Sequence, residues 1–371
     1  MDKKLTPAEY GQKVCETLMK KYEPEKLPPY HGVSLFTYHQ GVFLSGMYGI
    51  YKKTGNEELF DYLKAWVDST LTEDGSVRDL GKGWVSLETL DFRQAGILFF
   101  PLYEKTENEK YMNNVKYLVE SLKEYPKNSK GGFWHMVDQP NQMWLDGLYM
   151  AGPIMAMYAD KMNKPEFFDM AAEQIVVMYE NMLDEKTGLM VHGWDESKEA
   201  QWADEKTGKS QEIWGRAMGW YVTAIVDILD YLPKSHSKRD YILEILRNIL
   251  TAIVKYQDKT DGRWYEVVDK VNEKGNWLEN SCSCLFVYAI SKAVRKGYID
   301  KAFKENAKKG YDGIINSLKW GEDGELLVGD ICIGTCIDEG TYEHYISRSV
   351  CVNDLHGSGA FTIMCGEYEE E

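Results

Sequence analysis

Five times along the chain, a strongly apolar stretch of helical length gives way, after a turn, to a more charged one, and a sixth apolar stretch closes the chain. The first begins at Tyr38-His39-Gln40-Gly41, turns at Lys53-Thr54-Gly55-Asn56 and passes into a charged helix at 59–71. The second opens at Leu90-Asp91-Phe92-Arg93, turns at Lys105-Thr106-Glu107-Asn108 and continues at 111–122. The third opens at Asp146, turns at Met162-Asn163-Lys164-Pro165 and continues at 167–183. The fourth opens at Trp214-Gly215-Arg216 and pairs with 242–256; the fifth opens at Glu279-Asn280-Ser281 and pairs with 299–318. The sixth starts at Gly357-Ser358-Gly359 and has no charged helix after it, which leaves an N-terminal helix at 7–21 as its partner. Helices apolar nearly all round are buried, and those with one charged face lie outside. Six such pairs predict an all-α (α/α)6 barrel, with an inner ring of six helices inside an outer six. The unit spacing, roughly 50–75 residues, is too irregular for a solenoid of equal repeats. No Pro/Ser-rich linker interrupts the chain, so residues 1–371 are expected to form one domain.

In such a barrel the starts of the inner helices share one end. Gln40, Asp91, Asp146, Arg216, Asn280 and Gly357 therefore converge on one mouth, as a site requires and independent helix caps do not. Between the pairs lie Gly- and Trp-rich stretches: Gly131-Gly132-Phe133-Trp134-His135, Gly188 to Trp194, Gly262-Arg263-Trp264-Tyr265 and Gly324-Glu325-Leu326-Leu327. Each follows a turn signal and carries strand formers, which predicts short β-hairpins whose aromatic rings, Trp134 among them, wall the cleft.

Asp146 is the single carboxylate in the run Asn141-Gln142-Met143-Trp144-Leu145-Asp146-Gly147-Leu148-Tyr149-Met150. A buried carboxylate must be paired or protonated. Asp146 thus either caps its helix or is a general acid whose apolar, Trp-lined setting raises its pKa. Asp91 holds the same place in the preceding unit, and repulsion between two nearby carboxylates raises one pKa toward neutrality. His192, flanked by Gly193 and Trp194, is either structural or part of the site. Arg216, between Trp214 and Trp220, needs an anion, supplied by a site carboxylate or by the substrate.

The net charge of −16 argues against nucleic acid and anionic membrane surfaces as partners, and no run approaches a membrane span. Seven cysteines without framework spacing predict free thiols in a reducing compartment; Cys282 and Cys284 read as core. The start of the chain lacks the apolar core of a signal peptide, so a cytoplasmic protein is expected. His31, His39 and His135 form no metal-ligand spacing, and there is no phosphate loop, nucleophile elbow or dinucleotide fingerprint. No metal and no cofactor are expected.

Four stretches resemble the unsaturated rhamnogalacturonyl hydrolases, glycoside hydrolase family 105: Gly131 to His135, Pro140 to Met150, Trp214-Gly215-Arg216-Ala217-Met218-Gly219-Trp220 and Asn353-Asp354-Leu355-His356-Gly357. The resemblance implies an (α/α)6 barrel and removal of a 4,5-unsaturated uronate from the non-reducing end of lyase-generated pectin fragments. It implies that Asp146 protonates C4 of the vinyl ether and then helps activate the water that adds at C5. It also implies a cleft lined by Asp91, Trp144, His192, Trp214, Arg216, Trp220 and His356; Gln40 and Trp134 join these from the unit starts and hairpins. Met136 stands where a basic residue is expected, leaving the sugar beyond the uronate open. The expected partner is an unsaturated oligosaccharide, bound by a monomer or homodimer. A glucuronyl-specific relative, an epimerase using His192 and His356, and a non-catalytic oligosaccharide-binding barrel are the competing readings.

Overall fold

The computed structural model describes residues 5–28 and 35–370. His31 lies outside them. In chain order the helices begin with α1 (Pro7–Lys21), α2 (Tyr38–Thr54), α3 (Glu57–Ser69), α4 (Asp91–Gln94), α5 (Phe99–Thr106), α6 (Glu109–Glu120) and α7 (Asp146–Met162). They continue with α8 (Pro165–Met182), α9 (Gly215–Tyr231), α10 (Arg239–Lys255), α11 (Asn280–Arg295), α12 (Lys304–Ser317), α13 (Tyr342–Ile346) and α14 (Leu355–Glu367). Side-by-side packing closes a ring: α2 on α14, α14 on α11, α11 on α9, α9 on α7, α7 on α4, and the turn after α4 back on α2. Outside it α3, α6, α8, α10, α12 and α1 pack against α2, α5, α7, α9, α11 and α14. This is the (α/α)6 barrel the repeat predicts, with the first helix of the chain serving the last.

Local chemistry sets the element boundaries. Thr6 caps α1 by accepting from the Glu9 amide while the Glu9 carboxylate accepts from the Thr6 amide, with Pro7 in the first turn. α2 and α14 approach closely because glycines line their contact: a Cβ at Gly359 would lie 2.6 Å from Val42 Cγ1 and 2.9 Å from the Phe43 nitrogen.

The second inner helix departs from the continuous helix expected. It is broken into α4, a 3₁₀ turn at Ala95–Leu98, and α5. Pro101 has no N–H for the Ile97 carbonyl and its ring crowds that turn, so the backbone tightens there.

The strands form short antiparallel pairs, of which β5–β6 is a local hairpin as expected and β1–β2 is not. β1 (Gln142–Trp144) pairs antiparallel with β2 (Gly193–Asp195), which lies beyond α8. β3 (Trp264–Tyr265) pairs with β4 (Leu278–Glu279), β5 (Lys319–Trp320) with β6 (Leu326–Leu327), and β7 (Ile331–Cys332) with β8 (Val350–Cys351). Trp264 is wholly buried and donates to the Ile253 carbonyl, so it belongs to the core instead of the cleft wall.

Candidate active site

A cleft of about 730 Å³ opens where the first turns of α2, α4, α7 and α14 meet, lined by Tyr38, His39, Asp91, Asp146, Leu355 and His356. Trp144, His135, Met136 and the segment Ile333 to Cys336 form its walls.

The β1–β2 register places the acid. Trp144 pairs with Gly193, and the Leu145 amide donates to the His192 carbonyl at 3.0 Å. The next residue, Asp146, opens α7, and its Oδ2 lies 3.1 Å from His192 Nε2. His192 Nδ1 is held 2.8 Å from the Tyr345 hydroxyl. On the other side, His135 stacks on Trp144 with ring centres 4.4 Å apart, and its Nε2 lies 3.5 Å from Asp91 Oδ1.

These surroundings drive the two carboxyls apart. Burial and the charge of Asp146 push Asp91 up to about 8, so it keeps its proton at neutral pH. Burial works to raise Asp146 too, but the hydrogen bond with His192 and that ring's charge outweigh it and hold Asp146 below the ordinary carboxylate range. The raised acid expected at Asp146 therefore sits at Asp91, and Asp146 is the ionised partner. Burial lowers His135 to about 4, leaving it neutral beside Asp91.

His356 reaches the cleft as expected. Its Nδ1 lies 2.6 Å from Asp354 Oδ1 and its Nε2 lies 2.8 Å from the Tyr38 hydroxyl. Six other expected contacts do not line the cleft. His192 is fully buried behind Asp146. Trp214 lies behind His192 and donates its indole N–H to Glu266 at 2.8 Å. Arg216 lies over Trp214 and donates to the carbonyls of Cys332 at 2.6 Å and Ile333 at 2.8 Å, so its anion is neither Asp146 nor Asp91. Two buried glutamates flank it, and burial with the charge of Glu279 pushes Glu266 up to about 8. Trp220, more than a turn into α9, stacks on Tyr149 inside the ring with centres 4.7 Å apart. Gln40 donates to the Leu27 carbonyl at 3.0 Å and so buttresses the lip. Trp134 is not among the residues that line the cleft, and its backbone amide is bonded to the Pro126 carbonyl at 3.1 Å.

The cleft also uses residues that the sequence reading did not select. Tyr38, His39 and His135 were visible at a helix start and in a hairpin motif. Asp354 was visible two residues before His356, where it caps α14 by accepting from the His356 amide at 3.0 Å. Nothing in the sequence marks Tyr345, which lies 153 residues from the histidine it holds.

Among the described residues no group of three or more His, Cys, Asp and Glu side chains could hold a metal ion, and no helix is long and apolar enough to cross a membrane. The site thus combines a proton-bearing carboxyl, an ionised carboxylate and aromatic walls, the equipment of acid–base sugar chemistry.

The family model of Glycosyl Hydrolase Family 88 matches residues 10–371. The chain belongs to this family. A family 105 glycoside hydrolase from C. acetobutylicum ATCC 824 superposes with a TM-score of 0.88 at 33% identity, over 96% of this chain and 98% of that one. The unsaturated rhamnogalacturonyl hydrolase YesR of Bacillus subtilis is 28% identical over 304 residues, covering 80% of this chain and 79% of that protein. The unsaturated glucuronyl hydrolase of Bacillus sp. GL1 shares the fold, with a TM-score of 0.72 at 13% identity. Membership in Glycosyl Hydrolase Family 88 makes the protein a glycosidase.

Proposed function

We propose that the protein removes a 4,5-unsaturated uronate from the non-reducing end of oligosaccharides cut by a polysaccharide lyase, with rhamnogalacturonan fragments as substrate. The observation that carries this reading is the opposite displacement of the two carboxyls, Asp91 toward the neutral acid and Asp146 toward the ion. The named activity of YesR supports the uronate and its rhamnose neighbour. The pair acts as a unit sharing one proton. That proton, resident on Asp91, goes to C4 of the vinyl ether, and the cation left at C5 is stabilised by the ring oxygen. Water adds at C5 and gives its proton to Asp146. The C5 hemiketal opens to a ketone, and the hemiacetal left at C1 releases the remaining saccharide as an alcohol. His192 orients Asp146, and the Trp144–His135 stack flanks the sugar. Ordinary glycosidases instead need two carboxylates at fixed separations across the glycosidic bond.

We also place the reaction in a reducing compartment, the cytoplasm, because all seven cysteines are unpaired. A panel of lyase-digested polysaccharides, followed by loss of the ultraviolet absorbance of the conjugated double bond, tests the substrate. Fastest decay is expected on rhamnogalacturonan digests; faster decay on digests of glucuronate-containing polysaccharides would replace rhamnogalacturonan as the substrate.

A further inference from the structure

An unsaturated uronate brings a carboxylate into a cleft that already holds Asp91, Asp146 and Asp354. Among the described residues no lysine or arginine lines that cleft, and burial keeps both His135 and His356 below their ordinary pKa. The incoming anion therefore needs a different receptor.

The segment after β7 has the required donors. Three consecutive carbonyls are held by guanidinium groups: Cys332 and Ile333 accept from Arg216, and Gly334 accepts from Arg348 Nη2 at 2.6 Å. Arg348 Nε also donates to the Thr335 hydroxyl at 3.1 Å, and the Cys332 amide donates to Glu279 at 3.0 Å. The Ile333 amide is used as well, on the Ser349 carbonyl at 3.0 Å. The next three amides, those of Gly334, Thr335 and Cys336, meet no acceptor among the described residues, and all three residues line the cleft. Gly334 and Thr335 are half-buried and Cys336 is exposed. Half-buried N–H groups rarely lack a partner, so the two in succession, with the Cys336 amide beside them, mark a place where a ligand completes the set. The cations bonded to the Ile333 and Gly334 carbonyls polarise those two peptides and strengthen their N–H groups, those of Gly334 and Thr335, as donors.

The neighbours agree. Ile337, one residue on, packs against Trp144, whose indole Nε1 is buried without an acceptor. On the other side a Cβ at Gly334 would stand 3.4 Å from His356 Cε1, so the segment spans the cleft between the two walls.

We propose that the backbone amides of Gly334, Thr335 and Cys336, aligned from behind by Arg216 and Arg348, receive the substrate's uronate carboxylate. Arg216 and Arg348 are then positioning residues, acting through the segment without touching the sugar. The proposal rests on the uronate reading given above.

Two measurements test it on wild type, Arg348→Gln and Arg348→Lys. The first is KM and kcat on an unsaturated galacturonyl-rhamnose disaccharide, as the free acid and as its methyl ester. The second is calorimetric binding of galacturonate and methyl galacturonate, which needs no turnover. Charge-assisted bonds to the acid predict that wild type prefers acid over ester by about tenfold or more in KM and in binding. Arg348→Gln should shrink that preference to about threefold or less, with Arg348→Lys between the two and the loss falling mainly on KM. Equal losses on acid and ester, or an unchanged preference in Arg348→Gln, would overturn the receptor. Turnover with an unchanged preference sinks the receptor and leaves the hydrolase reading intact. Absent turnover with the acid preference and its Arg348 dependence intact does the reverse.

Discussion

Asp91 keeps its proton because it is buried beside Asp146 and has a neutral histidine next to it, whereas Asp146 has His192, fixed in turn by Tyr345. Asp91→Asn and Asp146→Asn should each cost roughly 10²–10⁴ in kcat with the fold retained, as expected when one well-placed proton-transfer group is lost. Activity near wild type in either variant would remove that residue from the chemistry. Because Asp91 must be protonated to donate, kcat/KM should be present below and fall as pH rises through about 8, with an acid limb where Asp146 takes up a proton. The same shift bears on stability. A folded-state pKa raised from 3.8 to about 8 means that holding Asp91 neutral costs nothing below pH 4 and progressively more up to pH 8. Asp91→Asn should therefore stabilise the fold by roughly 1–3 kcal/mol near pH 8, an advantage that vanishes toward pH 4 in denaturant titrations. The carboxyl pair was legible because both residues open equivalent apolar helices. Which of them holds the proton was not, since that depends on His192 and on a tyrosine placed by tertiary packing alone.

At the scale of elements, the six helix pairs were legible from hydrophobic patterning, including the first helix serving the last. The break in the second inner helix was missed, although Pro101 announces it. The β1–β2 pairing was missed as well, because nothing local to 142–144 names a partner across α8. That pairing does more for the site than any hairpin, since it sets Asp146 beside His192. Three of the residues expected to line the cleft but found behind it belong to the start of α9. Arg216 is covered by the segment after β7, Trp214 lies behind His192, and Trp220 turns into the ring against Tyr149. The glycine-mediated contact of α2 with α14 is the tightest test of the ring. Gly359→Ala should destabilise by about 1–3 kcal/mol, because the Val42 side chain and the Phe43 backbone leave no room for a methyl group. Denaturation by urea at unchanged slope would measure it, and a loss below about 0.5 kcal/mol would mean the two helices can separate freely.

The whole molecule places its chemistry at one end of a closed ring. At the other end, Lys292 of α11 is paired with Asp227 at 2.6 Å and Asp230 at 2.7 Å of α9. A chain with a net charge of −16 repels an anionic sugar at long range, so recognition of the substrate must be local and the cleft must supply both donors and acid. The central claim is that release of the saccharide follows from adding water across the double bond. Absorbance of the conjugated bond and appearance of free rhamnose, followed together on an unsaturated galacturonyl-rhamnose disaccharide, test it most directly. The account predicts that absorbance falls at least as fast as rhamnose appears, and that both stop in Asp146→Asn. Rhamnose released ahead of the absorbance loss would show cleavage with the double bond intact and contradict it.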